Sequence, residues 1–104
     1  MKILVPVDFT DITEKGFKYA LSLPFANEII LFHAVDDIKK SKEAQQQLSN
    51  ITNKYSAPAH LTVQSKVKQG AIFEIIGNVS KEVNADLVVM ATHGIKGLQH
   101  FLGS

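Results

Sequence analysis

The sequence predicts an α/β fold built on an open, doubly wound parallel sheet of the Rossmann-like type. Three observations carry that expectation. Four apolar runs alternate along the chain with three stretches of helical periodicity, giving the order β-α-β-α-β-α-β and hence parallel strands joined by right-handed crossovers. Three of the runs are apolar at successive positions, as strands covered on both faces must be, while one alternates apolar and polar residues. Pro24, Asn27, Pro58, Gly70 and Asn84 fall between these segments rather than inside them.

The first strand is read over residues 2–7. Asp11 is expected to cap the following helix, with Glu14 in the reciprocal position of a capping box. Ile12, Gly16, Tyr19, Ala20 and Leu23 share one face of that helix, and Pro24 and Asn27 mark its end. The second strand covers residues 28–35 and is apolar on both faces. Residues 36–40 form a short loop, and Ser41 is expected as the N-cap of a second helix carrying Ala44, Leu48, Ile51 and Tyr55 at spacings of four, three and four. Pro58 prevents its continuation.

The third strand, residues 59–67, is different in kind. Leu61, Val63 and Val67 alternate with Thr62, Gln64, Lys66 and Lys68, and one-faced alternation with lysines predicts a sheet edge. Gly70 is read as opening a third helix, with Ile72, Ile75, Ile76, Val79 and Val83 on one stripe and Asn84 at its end. The fourth strand, residues 86–91, is apolar throughout and expects neighbours on both sides. One edge strand and three buried ones give the order 3-2-1-4, in which the winding reverses between strands one and four. Ligands of open α/β sheets bind at such a switch point, beyond the carboxyl ends of the strands. Those ends carry Asp8 after strand one and Ala91-Thr92-His93-Gly94 after strand four.

Composition narrows the function classes. The 104 residues suffice for one domain and one core. With 45% hydrophobic and 20% charged residues, the balance is that of a globular protein. Net charge is +1, from 11 basic and 10 acidic residues, so there is no general electrostatic reason to expect nucleic acid or an acidic membrane as partner. Lys39, Lys40 and Lys42 form the one local excess, read as a solvated loop. Cysteine is absent, which excludes disulfides and thiolate metal sites and fits a reducing, cytoplasmic setting. The N-terminus lacks a signal-peptide pattern, and no run approaches the ~20 apolar residues needed to span a bilayer.

The motifs are weighed against plainer roles. Asp8, in Asp8-Phe9-Thr10, could accept hydrogen bonds from a ligand's amino or hydroxyl groups, or could satisfy backbone amides of a tight strand-to-helix turn. Position alone does not separate the two. Glycines in residues 91–104 would let the backbone approach a phosphate, with Ser104 as a small hydroxyl residue opening a helix. There is no P-loop, no dinucleotide fingerprint after strand one and no nucleophile elbow. A receiver domain would need an acidic pair after strand one, where Asp8 stands alone. His33 reads as a structural residue, and His60, His93 and His100 as surface residues. No histidine has metal-ligand spacing with carboxylates.

Three segments resemble the universal stress protein family: Ile3-Leu4-Val5-Pro6-Val7-Asp8-Phe9-Thr10, Leu31-Phe32-His33-Ala34-Val35-Asp36, and Ala85-Asp86-Leu87-Val88-Val89-Met90-Ala91-Thr92-His93-Gly94. They occur in the family's order and span the chain. The resemblance implies that adenine nucleotide binds at the switch point, with ATP first and AMP or ADP as further candidates, with or without magnesium. Pro6, Val7 and Asp8 would border adenine and ribose. Ala34 would meet adenine through its backbone, Met90 would line the base pocket, and Gly94, Gly103 and Ser104 would hold phosphates.

The sequence departs from the family pattern at three points. Ala91 stands where the first glycine of the Gly-x-x-Gly motif is expected, so its methyl either crowds the ligand or demands a different backbone angle. Eight residues rather than nine separate Gly94 from Gly103. Ser104 ends the chain where the family continues with a helix and a fifth strand. The resemblance therefore implies a single domain, C-terminally incomplete, whose strand four is completed by residues absent from this chain or by a second copy in a homodimer. Two functions follow from it: a nucleotide-binding sensor that is not an enzyme, or a dimeric interaction protein of the same fold that binds no nucleotide.

Overall fold

A computed structural model describes residues 1–91. In chain order the elements are β1 (Lys2–Pro6), α1 (Asp11–Leu21), β2 (Glu28–Val35), α2 (Ser41–Lys54), β3 (Thr62–Gln69), α3 (Ile72–Val83) and β4 (Leu87–Val88). The four strands form one parallel sheet in the order β3-β2-β1-β4, as the run pattern predicts.

The pleat explains why β1 and β2 are apolar at successive positions. Ile3, Val5 and Val7 face the same side as Ile29 and Leu31, where they meet Phe17 and Ala20 of α1 and Leu48 and Ile51 of α2. The intervening residues Leu4, Ile30 and Phe32 face the other side and pack on Ile76 and Val79 of α3. A strand with a helix layer on each face has no polar side to offer. Sequential crossovers thus put α1 and α2 on one face and α3 on the other, which is double winding.

Several boundaries differ from expectation, each for a local reason. Thr10, not Asp11, caps α1: its backbone is extended and its hydroxyl accepts from the Thr13 amide at 3.4 Å. Asp11 is the first helical residue, where a negative charge still complements the helix dipole. Glu14 closes no capping box. Its carboxylate instead accepts from Tyr55 Oη at 2.7 Å and Lys54 Nζ at 3.0 Å, tying α1 to the end of α2. The buried stripe of α1 is Thr13, Gly16, Phe17 and Ala20, so Tyr19, expected inside, is 60% exposed.

Before α2 the loop tightens into a 3-10 turn, Ile38–Lys40, capped by the Asp37 carboxylate accepting from the Lys39 amide at 2.9 Å. That turn runs directly into α2, so Ser41 is helical rather than an N-cap, and its hydroxyl is buried with no partner among the described residues. β3 begins at Thr62 rather than 59, because Leu61 first closes a turn on the Pro58 carbonyl. Its edge position holds, and Lys66 and Lys68 both bridge Glu82 of α3, at 3.0 and 2.8 Å. α3 starts at Ile72. Gly70 ends β3 at φ 143, where an added Cβ would come within 2.5 Å of Ile75 Cγ2, so it serves the turn and not the helix. Asn84 ends α3 in the left-handed conformation, as its side chain favours.

β4 is shorter than expected and half-buried. It pairs with β1 at Ile3↔Leu87 and Leu4↔Val88, extended by hydrogen bonds from the Asp86 amide to the Lys2 carbonyl and from the Val89 amide to the Leu4 carbonyl. Among the described residues nothing pairs with its outer side, so the neighbour expected there is not seen. No helix among them is long and apolar enough to cross a membrane.

Candidate functional site

Where the winding reverses, the carboxyl ends of β1, β2 and β4 leave a cavity of about 680 Å³, within the usual range for small-molecule sites. α2 and the turn before it close one side, and the β3–α3 turn with Phe73 closes the other. Six of the sequence-predicted residues, Pro6, Val7, Asp8, Ala34, Met90 and Ala91, line this one cavity although they come from three strand ends. Gly94, Gly103 and Ser104 lie outside the described residues, as do His93 and His100.

Asp8 holds the turn from β1 into α1. One carboxylate oxygen, Oδ1, accepts from the Thr10 amide at 3.0 Å, from the Thr10 hydroxyl at 2.5 Å and from the Thr13 hydroxyl at 2.8 Å. Its own amide donates to Thr13 Oγ1 at 3.1 Å. Oδ2 takes no part in this web. Both readings of Asp8 are therefore compatible: one oxygen serves the turn and the other remains for a ligand. Burial pushes the carboxyl up, but the hydrogen bonds from the Thr10 side chain and amide, from Thr13 and from its own amide outweigh it and hold the group below its ordinary value.

Between Asp8 and Thr10, Phe9 adopts φ 68, an uncommon angle for a bulky residue and a mark of local strain. Its ring stacks on His33, with centroids 4.1 Å apart and planes 29° from parallel. His33 Nδ1 lies 2.8 Å from the Val7 carbonyl. A carbonyl only accepts, so Nδ1 carries the proton, and in the neutral ring Nε2 is left as an acceptor. His33 is thus structural, as expected, and also lines the cavity. Phe9, His33, Gly70 and Gln47 were not anticipated as site residues. For Gln47 the signal was available: it lies three residues after Ala44, on the inward stripe of α2.

Ala91 also packs against α1. An added Cβ on Gly16 would lie 3.2 Å from the Ala91 methyl and 3.3 Å from its amide nitrogen. The Ala91 methyl thus lies beside a helical glycine, and the residue also lines the cavity. Positive φ among the described residues is confined to Phe9, Asn84 and Gly70, so Ala91 does not adopt an unusual backbone angle. No group of three or more histidines and carboxylates among those residues could hold a metal ion.

Solved structures share this architecture. Hypothetical protein MJ0577 matches with a TM-score of 0.73 at 24% identity, over 89% of this chain and 75% of its own. Rv1636 from Mycobacterium tuberculosis H37Rv matches with a TM-score of 0.67 at 20% identity, over 99% of this chain and 80% of its own. Protein PH0823 matches with a TM-score of 0.64 at 22% identity, over 84% and 75%. At such identities the likeness speaks for the fold. The sequence itself matches the universal stress protein family model over residues 1–104, and with the parallel 3-2-1-4 sheet in place the chain belongs to the universal stress protein family.

Proposed function

We propose that the chain binds an adenine nucleotide, ATP foremost, in the crevice at the carboxyl ends of β1, β2 and β4, and acts as a stress-response sensor. The observation that carries this reading is the convergence of Pro6, Val7, Asp8, Ala34, Met90 and Ala91 on one cavity of about 680 Å³ at the switch point. Most of these residues offer apolar surface suited to a base. Asp8 Oδ2 offers an acceptor for ribose hydroxyls. The phosphates would extend toward Gly94, Gly103 and Ser104, with magnesium as the counter-ion of the nucleotide.

The state of Asp8 is consistent with a sensor role rather than that of a fast enzyme. A carboxylate held below its ordinary pKa by the turn is a weak general base. Calorimetric titration with ATP, AMP and adenosine tests the reading. Binding of all three is expected, and Asp8→Asn should weaken each about tenfold, the scale of one lost charged hydrogen bond. Absence of binding by every adenine compound, together with a stable dimer in sedimentation, would favour the interaction-protein alternative.

A further inference from the structure

We propose that Phe73, on the first turn of α3, stacks on the base of the bound nucleotide and forms the outer wall of the base pocket. This rests on the nucleotide reading above and adds the residue that covers a face of the base. In that reading the main chain at Ala34 meets the edge of the ring, so the edge is served by the carboxyl end of β2. The faces of a planar ring need flat apolar surface rather than hydrogen bonds.

The pleat tells on which side of the sheet that surface lies. Leu4, Ile30, Phe32 and Val88 face α3, together with Ala34 and Ile72. Pro6 follows Leu4 by two and Met90 follows Val88 by two, which continues the same side. Ala91, next after Met90, lies against Gly16 of α1 on the opposite side. Pro6, Ala34 and Met90 therefore line the α3 side of the cavity, the side on which Phe73 also lines it.

Packing gives no reason for an aromatic residue at position 73. Ile72, Ile75, Ile76 and Val79 carry the contact of α3 with the sheet, and Phe73 is 61% exposed. An isolated exposed hydrophobic residue is ordinary, but the position of this one is not. Among the described residues the other exposed large hydrophobics are Met1, Tyr19, Phe25 and Ile38, and none of them lines the cavity. A helical Cα–Cβ bond leans toward the helix N-terminus, and the N-terminus of α3 is the end joined to β3 at the cavity. The Phe73 ring is thereby directed over the mouth. Phe9 is the other phenyl ring there, but it packs with the α1–α2 cluster and against His33, 4.1 Å between centroids.

A base laid on Ala34 and Met90 would take its second wall from Phe73 and cover the exposed ring in doing so. Stacking on an aromatic ring depends on the face of the base and not on its hydrogen-bond pattern. Its loss should therefore weaken every ligand carrying the base by the same factor, whatever its phosphates.

The test is calorimetric titration of the full chain with ATP and adenosine, on the wild type, Phe73→Ala, Phe73→Trp and Tyr19→Ala, with thermal melts to confirm folding. Phe73→Ala should weaken both ligands about tenfold, Phe73→Trp should bind both at least as tightly as the wild type, and Tyr19→Ala should change neither. The chain has no tryptophan of its own, so Phe73→Trp also places a single fluorophore at the proposed contact. ATP should quench its emission with the affinity found by calorimetry, and should leave the emission of Tyr19→Trp unchanged. Affinities retained in Phe73→Ala, or a loss in that variant with no change in Phe73→Trp emission, overturn the assignment and leave the nucleotide reading intact. A loss for ATP without one for adenosine overturns it as well. If the wild type binds neither ligand, both readings fall together.

Discussion

At the scale of single residues, Asp8 combines a structural and a ligand-facing role in one carboxylate, and the two can be separated by substitution. Asparagine retains an acceptor at the Oδ1 position, so Asp8→Asn should keep the turn and lose the charge. Alanine removes the acceptor as well, and the Thr13 hydroxyl, within a nearly buried residue, loses its carboxylate partner. Asp8→Ala is therefore expected to destabilise the fold by about 1–2 kcal/mol, while Asp8→Asn should cost less than about 1 kcal/mol, both read from urea midpoints. Because the folded-state pKa lies below the ordinary 3.8, the carboxylate stabilises the protein fully above that value. This contribution is lost as pH falls through the lower folded-state value. The wild type should thus lose stability at the acid extreme more steeply than Asp8→Asn. Parallel acid limbs would show that the charge contributes nothing to the turn.

At the scale of elements, the contact between α1 and the end of β4 is set by Gly16. Only a hydrogen at that position lets Ala91 approach so closely, and Ala91 is also a wall of the cavity. Alanine at position 16 would gain helix propensity of about 1 kcal/mol but crowd the strand, so the two effects oppose. Valine is less ambiguous, since it adds bulk facing a backbone nitrogen as well as a methyl. Gly16→Val should destabilise the fold by about 1–3 kcal/mol and weaken ATP by displacing Ala91 and Met90. An unchanged urea midpoint would mean that the helix moves aside freely. Gly70 has a similar place at the end of β3, where its φ of 143 and the nearby Ile75 side chain both exclude a Cβ. Its wide angle turns the chain back into α3 and forms part of the cavity wall.

At the scale of the whole molecule, sheet position sets the order of local stability. β1 and β2 pair on both sides and are covered on both faces, whereas β3 and β4 are edges among the described residues. Hydrogen exchange should be slowest at Leu4, Val5, Ile30 and Leu31, intermediate in β3, and faster still around Leu87 and Val88, whose pairing with β1 is short. Peptide-level exchange by mass spectrometry checks this order. Protection of β4 equal to that of β1 would reveal a further partner on its outer side, and its dependence on protein concentration would tell whether that partner is a second copy.

The sequence by itself determined the α/β class, the element order and the strand order, because these follow from which runs are apolar on one face or two. Strand β2 was legible to the residue for that reason, and Asn84 was legible as the end of α3, its left-handed conformation being seen only in the fold. Asp8 and Ala91 could be placed at one end of the sheet once the order 3-2-1-4 was known, whereas Ala34 and Met90 entered through the resemblance to the family. Features that depend on a neighbour distant in the chain were not legible. Glu14 has the spacing of a capping box, yet its carboxylate goes to Tyr55 and Lys54, about forty residues later. Tyr19 has the periodicity of a core residue, but Phe17 occupies the face that the sheet covers. The place of Ala91 beside Gly16 was likewise not legible from either segment alone. Local propensity and periodicity act within one element, whereas the pairing of a side chain is decided by whatever the folded sheet brings beside it.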